Sequence, residues 1–277
     1  MDQFRIAADS SCNLLALDGA DFVSVPLTIR TDAEEFRDDA SLDVDAMVAA
    51  LRATKGRSYS ACPNIAQWEE AFGERGDVIA FTITSELSGS YNAACAAKEI
   101  CRQRDPSRRI HVVDSLSAGP EIALLIEKAL SEARAGADFD GVRRAVQEYR
   151  ERTRLLFALE SMHNLAQNGR VNRLVATMAG VLGIRAVGQA SAEGTLEMLG
   201  KARGARRAAD AAADAVRNGA ARLQGRQRPN RALPERDARA GNPRRDPPAL
   251  PGGGRADPSA AGAVQLLRRA RRNHAGV

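Results

Sequence analysis

The fold of this chain is decided by the stretch Val78-Ile79-Ala80-Phe81-Thr82-Ile83-Thr84-Ser85-Glu86-Leu87-Ser88-Gly89-Ser90. Its first half is a nearly continuous apolar run, which is typical of a strand buried on both faces of a parallel sheet. Its second half is rich in hydroxyl side chains and leads into an Ala-rich helix predicted over residues 91–103. Strand, polar loop and helix in this order form the repeating unit of α/β proteins.

The same unit recurs on both sides of this stretch. Apolar runs predict strands over 4–8, 22–29 and 110–113, and Pro26 favours an edge position or a break in the second of these. Helical spacing of apolar residues predicts helices over 43–55, through Trp68 and Phe72, over 121–135 and over 140–152. Residues 60–64 are predicted to be a loop. We therefore expect residues 1–152 to form an N-terminal α/β domain with a parallel sheet.

The pattern after residue 152 is less regular. Strands are predicted over 153–159 and 183–187, an apolar helix over 174–182, and an Ala-rich helix from Ala205 that ends at Gly219. Residues 168–171 are predicted to form a turn that exposes a cation. We interpret 153–218 as a partial second α/β domain and 219–277 as an Arg/Pro/Gly-rich, low-complexity and disordered tail.

The charge of the chain is concentrated in this tail. The 277 residues carry a net charge of +5, but residues 219–277 alone carry +9, with 13 Arg and 7 of the 11 Pro, so the body carries −4. The body therefore gives no reason to expect nucleic acid as a partner. No apolar run approaches the length of a membrane span, and the N-terminus lacks an apolar signal core. Four cysteines without a C-x-x-C pair fit a reducing compartment, so we expect a cytoplasmic protein.

Two explanations of the tail remain open. It could be a genuine disordered, Arg-rich arm that binds nucleic acid or an anionic surface, and with nucleic acid as the partner the protein would be a regulator. Alternatively, an altered reading frame late in a GC-rich gene would yield Arg, Pro, Ala and Gly in this proportion, and the rarity of Lys in the body points to such a gene. We favour the altered reading frame.

Three predicted strands end in loops of similar chemistry. These loops are Asp9-Ser10-Ser11, the segment from Thr84 to Ser90, and Asp114-Ser115. The carboxyl ends of parallel strands border the ligand crevice, where hydroxyl groups and helix N-terminal amides bind anionic or oxygen-rich groups. The alternative is that these residues only cap helices.

The body contains few residues in arrangements that are typical of a catalytic site. Ser88 lies outside a G-x-S-x-G elbow, no phosphate-binding Gly-rich loop is present, and the Cys and His residues lack zinc spacing. We therefore expect a binding protein rather than an enzyme, with no metal and no cofactor. The alternative is a cytosolic enzyme that acts on a small anionic substrate at the same hydroxyl-rich crevice.

Eight motifs occur in one order along the body. They are Asp9-Ser10-Ser11-Cys12-Asn13-Leu14, Val25-Pro26-Leu27-Thr28-Ile29, Glu35-Phe36-Arg37-Asp38, Ser60-Ala61-Cys62-Pro63, Ile83-Thr84-Ser85-Glu86-Leu87-Ser88-Gly89-Ser90-Tyr91-Asn92-Ala93-Ala94, Val112-Val113-Asp114-Ser115, Asn168-Gly169-Arg170-Val171 and Gly200-Lys201-Ala202-Arg203-Gly204. This series resembles the DegV family of bacterial fatty-acid-binding proteins. The resemblance implies a two-domain DegV-like α/β architecture that holds a long-chain fatty acid between its domains. It also implies a partner, a fatty-acid kinase subunit, that receives the carboxylate and makes the acyl phosphate.

The resemblance also implies residue roles. The family's carboxylate-binding hydroxyls fall on Ser60 and Ser88, with Gly89 adding a helix-start amide, and the arginine linked with kinase docking falls on Arg170. We place Asp9, Ser10, Ser11, Asp114 and Ser115 in the supporting cleft. Because Ser88 and Gly89 bring no Lys or Arg, we expect hydrogen bonds to hold the head group. The alternatives are that Ser88 is a plain N-cap and that Arg170 is a solvated turn charge.

The sequence departs from the family pattern in two places. A frequent Lys-Pro pair after an isoleucine is Arg185-Ala186 here. The family continues with further strands and helices and often has a histidine near the ligand in its last strand. Residues 219–277 contain nothing similar, so His274 does not inherit that role and the second domain is expected to be incomplete.

Overall fold

The protein is described by a computed structural model over residues 4–54, 56–159, 161–171 and 184–226. The side chains of His163, Gln167 and residues 218–226 lie outside this description. In chain order the elements are β1 (Arg5–Asp9), a 3-10 turn (Ser10–Cys12), β2 (Phe22–Val25), β3 (Thr28–Arg30), β4 (Glu35–Arg37), α1 (Val44–Ala53), β5 (Tyr59–Ala61), α2 (Ile65–Phe72), β6 (Val78–Thr82), α3 (Ser90–Arg104), β7 (Ile110–Asp114), α4 (Pro120–Arg134), α5 (Phe139–Arg152), β8 (Leu156–Leu159), α6 (His163–Gln167), β9 (Ile184–Ala190), β10 (Leu196–Arg203) and α7 (Ala205–Arg226).

Four strands form the parallel sheet that the sequence predicts, in the order β2-β1-β6-β7. All five residues of β6 are buried, which explains why this strand has no polar alternation. The predicted strand over 22–29 is broken at Pro26 into β2 and β3, and β2 lies at the edge of the sheet, as expected for a strand next to proline. The chain leaves β1 towards β2 on one side and later returns to β6 on the other side. The carboxyl ends of β1 and β6 therefore form a topological switch point.

Helices cover this sheet on both faces. The cluster on one face includes Phe81, Ile122 and Val142, which join the sheet to α4 and α5. The cluster on the other face includes Trp68 and Ala94, which join it to α2 and α3. The sheet is thus the middle layer of a three-layer α/β core.

Local signals in the sequence explain where these helices begin. The side chain of Asp43 accepts a hydrogen bond from the Ala46 amide and caps α1. Asn64 and Gln67 form a capping box at the start of α2. Pro120 occupies the first turn of α4, where its missing N–H costs nothing.

A small antiparallel sheet has the order β4-β3-β5. Ser60 and Ala61 pair in it with Ile29 and Thr28, so the predicted loop over 60–64 is wrong at its first two residues. The sequence does not predict β5, because a strand of three residues is too short to show an alternating pattern. This sheet places Ser60 on a strand rather than on a loose connection.

A third sheet, also antiparallel, has the order β10-β9-β8. Its strands fall within the part of the chain interpreted as a partial second domain. The helix predicted over 174–182 lies outside the described residues. The prediction that the last helix ends at Gly219 is wrong, because α7 continues to Arg226. A glycine inside a helix costs only about 1 kcal/mol, and the Ala, Arg, Leu and Gln residues that follow Gly219 are good helix formers.

Candidate functional site

A cavity of about 310 Å³ lies at the side of the parallel sheet where β6 ends. Its wall combines aliphatic side chains with hydroxyl and amide groups and one arginine. The lining residues are Leu27, Ile29, Leu51, Ser58, Tyr59, Ser60, Ile83, Leu87, Ser88, Asn164, Leu165, Asn168 and Arg170. This volume is at the lower end of the range for small-molecule sites. Such a wall suits a ligand with an apolar body and a polar head.

Three of the residues assigned from the sequence, Ser60, Ser88 and Arg170, line this one cavity. They come from different parts of the chain: strand β5, the loop between β6 and α3, and the segment after α6. Their convergence therefore depends on the tertiary structure and not on their spacing in the sequence.

Ser88 and Gly89 lie at the N-terminus of α3. The Ser88 hydroxyl accepts a hydrogen bond from the Ser90 amide at 3.3 Å, so it partly satisfies the first turn of the helix. A Cβ atom at position 89 would lie 3.3 Å from the Cys62 sulfur, which shows how closely the residue after β5 approaches the residue before α3. The positive end of the α3 dipole favours a negative group at this point.

The segment that carries Arg170 is held by an Asn-Gly pair. The Asn168 amide group donates to the Ser58 carbonyl at 2.9 Å and to the Asn164 carbonyl at 2.8 Å. Gly169 has φ +71°, a left-handed conformation that glycine adopts without strain. These features turn the chain after α6, and Arg170 lines the cavity while its side chain stays exposed.

Asp9 lies behind the cavity wall and has no exposed surface. It accepts hydrogen bonds from the Ile83 amide at 2.9 Å, from the Ser90 hydroxyl at 2.6 Å and from the Ser11 hydroxyl. Burial raises the pKa of this carboxyl group above its ordinary value, while these donors oppose the rise. Asp9 is therefore an acceptor in the interior rather than a surface ligand.

Ser10 joins two other segments to the end of β1. Its hydroxyl donates to Asp38 at 2.6 Å and accepts from the Leu27 amide at 3.0 Å. Leu27 lines the cavity, so Ser10 supports the wall from behind.

Asp114 and Ser115 lie at the end of β7. Asp114 accepts from the Ser85 amide at 3.2 Å and therefore ties this loop to the one that follows β6. Ser115 lines a second cavity of about 190 Å³, together with Arg150 and Ser191. The structure thus joins the predicted loops through hydrogen bonds but places Ser115 on a different cavity from Ser60 and Ser88.

Sequence reasoning missed much of the wall. Leu51 of α1, Tyr59 of β5 and Asn164 of α6 all line the cavity, and none of them belongs to a motif with a recognisable chemistry. Asn168 was visible in its Asn-Gly-Arg motif, but its bond to Ser58 spans 110 positions and leaves no local signal.

The described residues offer little for metal binding. Within residues 4–54, 56–159, 161–171 and 184–226, no three His, Cys, Asp or Glu side chains cluster closely enough to hold a metal ion. Burial raises the pKa of Cys12 to about 12, so its thiol stays protonated near neutral pH. None of the helices in the same part of the chain has the length and apolar character that a membrane crossing requires.

Fold and cavity together define a class: an α/β protein with a cavity at the switch point of its sheet, whose wall combines aliphatic side chains with hydroxyl and amide groups. Comparison with known proteins specifies the family. The model described as "Uncharacterised protein, DegV family" matches residues 3–227, so this chain belongs to the DegV family. The resemblance inferred from the eight motifs is confirmed.

Several relatives are similar over most of the body. A DegV domain-containing protein of Streptococcus pneumoniae is 45% identical over 215 residues, which are 76% of each chain. A DegV family protein from Eubacterium eligens loaded with heptadecanoic acid superposes with a TM-score of 0.76 at 42% identity, covering 78% of each chain. The Streptococcus pneumoniae Fatty Acid Kinase (Fak) B3 protein loaded with linoleic acid superposes with a TM-score of 0.75 at 40% identity, covering 82% of this chain and 88% of that one.

Proposed function

We propose that this protein binds a long-chain fatty acid and presents its carboxylate to a fatty-acid kinase. The observation that carries the proposal is the cavity itself, in which Ser60 and Ser88 lie beside an aliphatic wall at the N-terminus of α3. The heptadecanoic and linoleic acids held by two relatives at 40–42% identity support the same ligand class. In this proposal residues 1–152 and 153–218 are the two domains that contribute to the site.

The apolar part of the ligand supplies most of the affinity. Each buried CH₂ group contributes about 0.8 kcal/mol, so an acyl chain of 16 carbons offers on the order of 12 kcal/mol of transfer free energy. The aliphatic residues Leu27, Ile29, Leu51, Ile83, Leu87 and Leu165 provide the wall that such a chain needs.

The carboxylate is the part that is costly to bury. An unpaired charge in an apolar cavity loses its hydration, so it needs several donors. We assign these donors to the Ser60 and Ser88 hydroxyls and the Gly89 amide, assisted by the α3 dipole. Because Arg170 is exposed as well as part of the cavity wall, we assign it to kinase docking rather than to the ligand.

This function requires no chemistry from the protein itself. The proposed carrier is cytosolic and non-enzymatic, and it needs neither metal nor cofactor because the kinase forms the acyl phosphate. Turnover of a small anionic compound by the purified protein alone, with no lipid recovered from it, would instead support the alternative enzyme.

The experiment combines lipid extraction with a matched pair of variants. Mass spectrometry of extracts from the purified protein should detect a fatty acid. Ser88→Ala should weaken binding of heptadecanoic acid by roughly tenfold, since one hydrogen bond to a charged group contributes about 1.5–3 kcal/mol. Ser41→Ala removes an exposed hydroxyl that bonds to Asp39 and does not line the cavity, and it should leave the affinity unchanged. Equal affinity of Ser88→Ala and the parent protein would contradict the assignment.

A second variant tests the partner. Arg170→Ala should leave fatty-acid affinity within about twofold but reduce acyl-phosphate formation when the fatty-acid kinase subunit is added. The opposite result would be a loss of fatty-acid affinity in Arg170→Ala, with normal acyl-phosphate formation from the fatty acid that remains bound. Arg170 would then belong to the ligand site and not to the docking surface.

We further infer that the sequence beyond the family match arises from an altered reading frame. The match ends at residue 227, and the segment after it contains no aromatic residue and most of the prolines. Translation of the gene in the other two frames after codon 227 should recover apolar, strand-like runs that continue the similarity. If neither frame does so, the Arg-rich arm is the better explanation, and salt-dependent DNA binding that is lost on deletion of 228–277 would support it.

A further inference from the structure

One buried oxygen holds both ends of the loop that carries Ser88. The Oδ2 atom of Asp9 accepts from the Ile83 amide at 2.9 Å and from the Ser90 hydroxyl at 2.6 Å. Ile83 follows β6 directly and Ser90 is the first residue of α3, so the entire loop lies between these two donors. Because a single atom accepts both bonds, the distance between the two ends of the loop is fixed by the geometry of one carboxylate.

The loop has further bonds of its own. The Leu87 and Ser88 amides both donate to the Thr84 carbonyl, at 3.1 and 3.2 Å, and the Ser88 hydroxyl accepts from the Ser90 amide. Once Asp9 fixes the ends, these bonds leave the Ser88 hydroxyl little freedom. The same loop places Ile83 and Leu87 on the cavity wall.

The carboxylate of Asp9 is itself held in place. Its other oxygen accepts from the Ser11 hydroxyl, and the neighbouring Ser10 ties the end of β1 to Asp38 and Leu27. A rigid strand in the middle of the sheet thus provides the fixed point, as a precisely positioned binding site requires.

Burying the carboxylate of Asp9 to hold this loop costs free energy. Burial raises the pKa of Asp9, and the nearby Asp38 and the protonated Cys12 thiol offer no compensating positive charge. Asn in the same place could accept both loop bonds with its one oxygen, but its NH₂ group cannot accept, so it would not keep all the bonds that Asp9 receives from the Ser11 hydroxyl and the Ser11 amide. Asn therefore preserves the attachment of the loop better than Ala does, but only in part.

We propose that Asp9 is the positioning residue of the fatty-acid carboxylate site: it holds the loop of residues 83–90 in the geometry in which Ser88 and Gly89 meet the head group. The inference rests on the proposed function and adds to it a residue that does not touch the ligand. Asp9 acts mainly on head-group recognition, because four of the six aliphatic wall residues lie outside this loop: Leu27, Ile29, Leu51 and Leu165.

The test compares two ligands that differ only in their heads, heptadecanoic acid and 1-heptadecanol. The parent protein should bind the acid more tightly than the alcohol. Asp9→Ala should weaken binding of the acid by roughly tenfold while the affinity for the alcohol changes by less than about threefold, because the displaced loop carries Ser88 and Gly89 but only two of the six aliphatic wall residues. Asp9→Asn can keep the bonds to both ends of the loop, so its preference for the acid should fall between those of Asp9→Ala and the parent protein.

A merely structural role for Asp9 predicts a different result. General loosening of the fold would lower the affinities for acid and alcohol in proportion, and that outcome would overturn the proposal. Equal preference for the acid in Asp9→Ala and in the parent protein would overturn it too, without affecting the assignment of the cavity. A parent protein that binds neither ligand would overturn the proposed function and this inference together.

Ser90→Ala provides the same test if Asp9→Ala does not fold. It removes only the bond from α3 to Asp9 and should lower the preference for the acid by about three- to fivefold. Ser107→Ala is its matched control, because Ser107 makes a Ser–Asp bond of the same length, 2.6 Å, to Asp105 at the other end of α3. An unchanged preference in Ser90→Ala, with the control also unchanged, would refute the role of Asp9.

Discussion

Strand β6 of the parallel sheet and strand β10 of the β10-β9-β8 sheet differ sharply in how far they are buried. All five residues of β6 are buried, whereas one of the eight residues of β10 is. The parallel sheet has helices packed on both faces, and the loops at its carboxyl edge are joined by hydrogen bonds through Asp9 and Asp114. Of the proposed functional residues, Ser88 belongs to this well-packed region. Arg170 follows β8 and belongs to the more exposed one.

This difference suggests that the two regions serve different parts of the proposed function, head-group binding and kinase docking. A head-group site needs donors fixed to within a fraction of an ångström, which a fully packed sheet provides. A docking residue needs exposure to a partner, which a loosely covered region provides. The contrast leads to measurable differences in stability.

The largest effect is expected at the centre of the parallel sheet. Phe81 has no exposed surface and belongs to the main core cluster, so Phe81→Ala should lower the free energy of unfolding by about 3–5 kcal/mol. Leu199 of β10 is 47% exposed, and Leu199→Ala should change the free energy of unfolding by less than about 0.5 kcal/mol. Urea denaturation followed by circular dichroism measures both. Similar losses for the two variants would remove the contrast between the sheets.

A smaller effect is expected where the β9–β10 turn meets the parallel sheet. A Cβ atom at position 194 would lie 2.2 Å from the Thr84 hydroxyl and 3.1 Å from the Leu116 Cα, and Gly194 has φ +88°. Gly194→Ala should therefore destabilise the protein by about 2–3 kcal/mol, because it combines backbone strain with a steric clash.

Gly136→Ala separates these two causes. Gly136 has nearly the same backbone angle, φ +90°, but nothing lies within 4 Å of its hypothetical Cβ. Its substitution should cost only about 1 kcal/mol, since it carries the backbone strain alone. Thermal melts of the two variants measure the loss of stability. Equal losses for Gly136→Ala and Gly194→Ala would mean that a Cβ atom at position 194 does not clash with the loop after β6.

The more deeply buried region is also the more predictable one. The strands β6 and β7 are visible as apolar runs, and the break at Pro26 follows from a rule for a single residue. In contrast, β4 and β5 have three residues each, and tertiary pairing with β3 creates them. Gly219 does not end α7, because strong helix formers on both sides outweigh one weak residue.

The candidate site shows the same limit. The polar loops after β1, β6 and β7 are predictable because parallel strands end at one edge. That Ser60 and Arg170 share a cavity with Ser88 was expected only from the family resemblance. The position of Asp9 behind the wall depends on bonds to Ile83 and Ser90, which are 74 and 81 residues away in sequence, and no local pattern encodes them.

The smallest effect tests whether the parallel sheet keeps a histidine neutral. Burial, assisted by the positive charges of Arg143, Lys98 and Arg150, lowers the pKa of His111 to about 4, and Asp140 opposes this. The unfolded chain protonates this histidine near pH 6.5, while the folded chain does not until about pH 4. The contribution of His111 to stability should therefore fall as the pH is lowered through this window and stay constant above it.

His111→Gln removes this dependence. Relative to its value at pH 7, the stability of the variant at pH 4.5 should exceed that of the parent by about 1 kcal/mol, a modest gain because the ring is only partly buried. Asp9 has a raised pKa and therefore contributes with the opposite sign, losing stability as the pH rises, but it is present in both proteins and cancels in the comparison. Parallel stability curves for the two proteins from pH 4.5 to 7 would show that β7 admits solvent to His111. The covering of the parallel sheet would then be less complete at this edge strand than at β6.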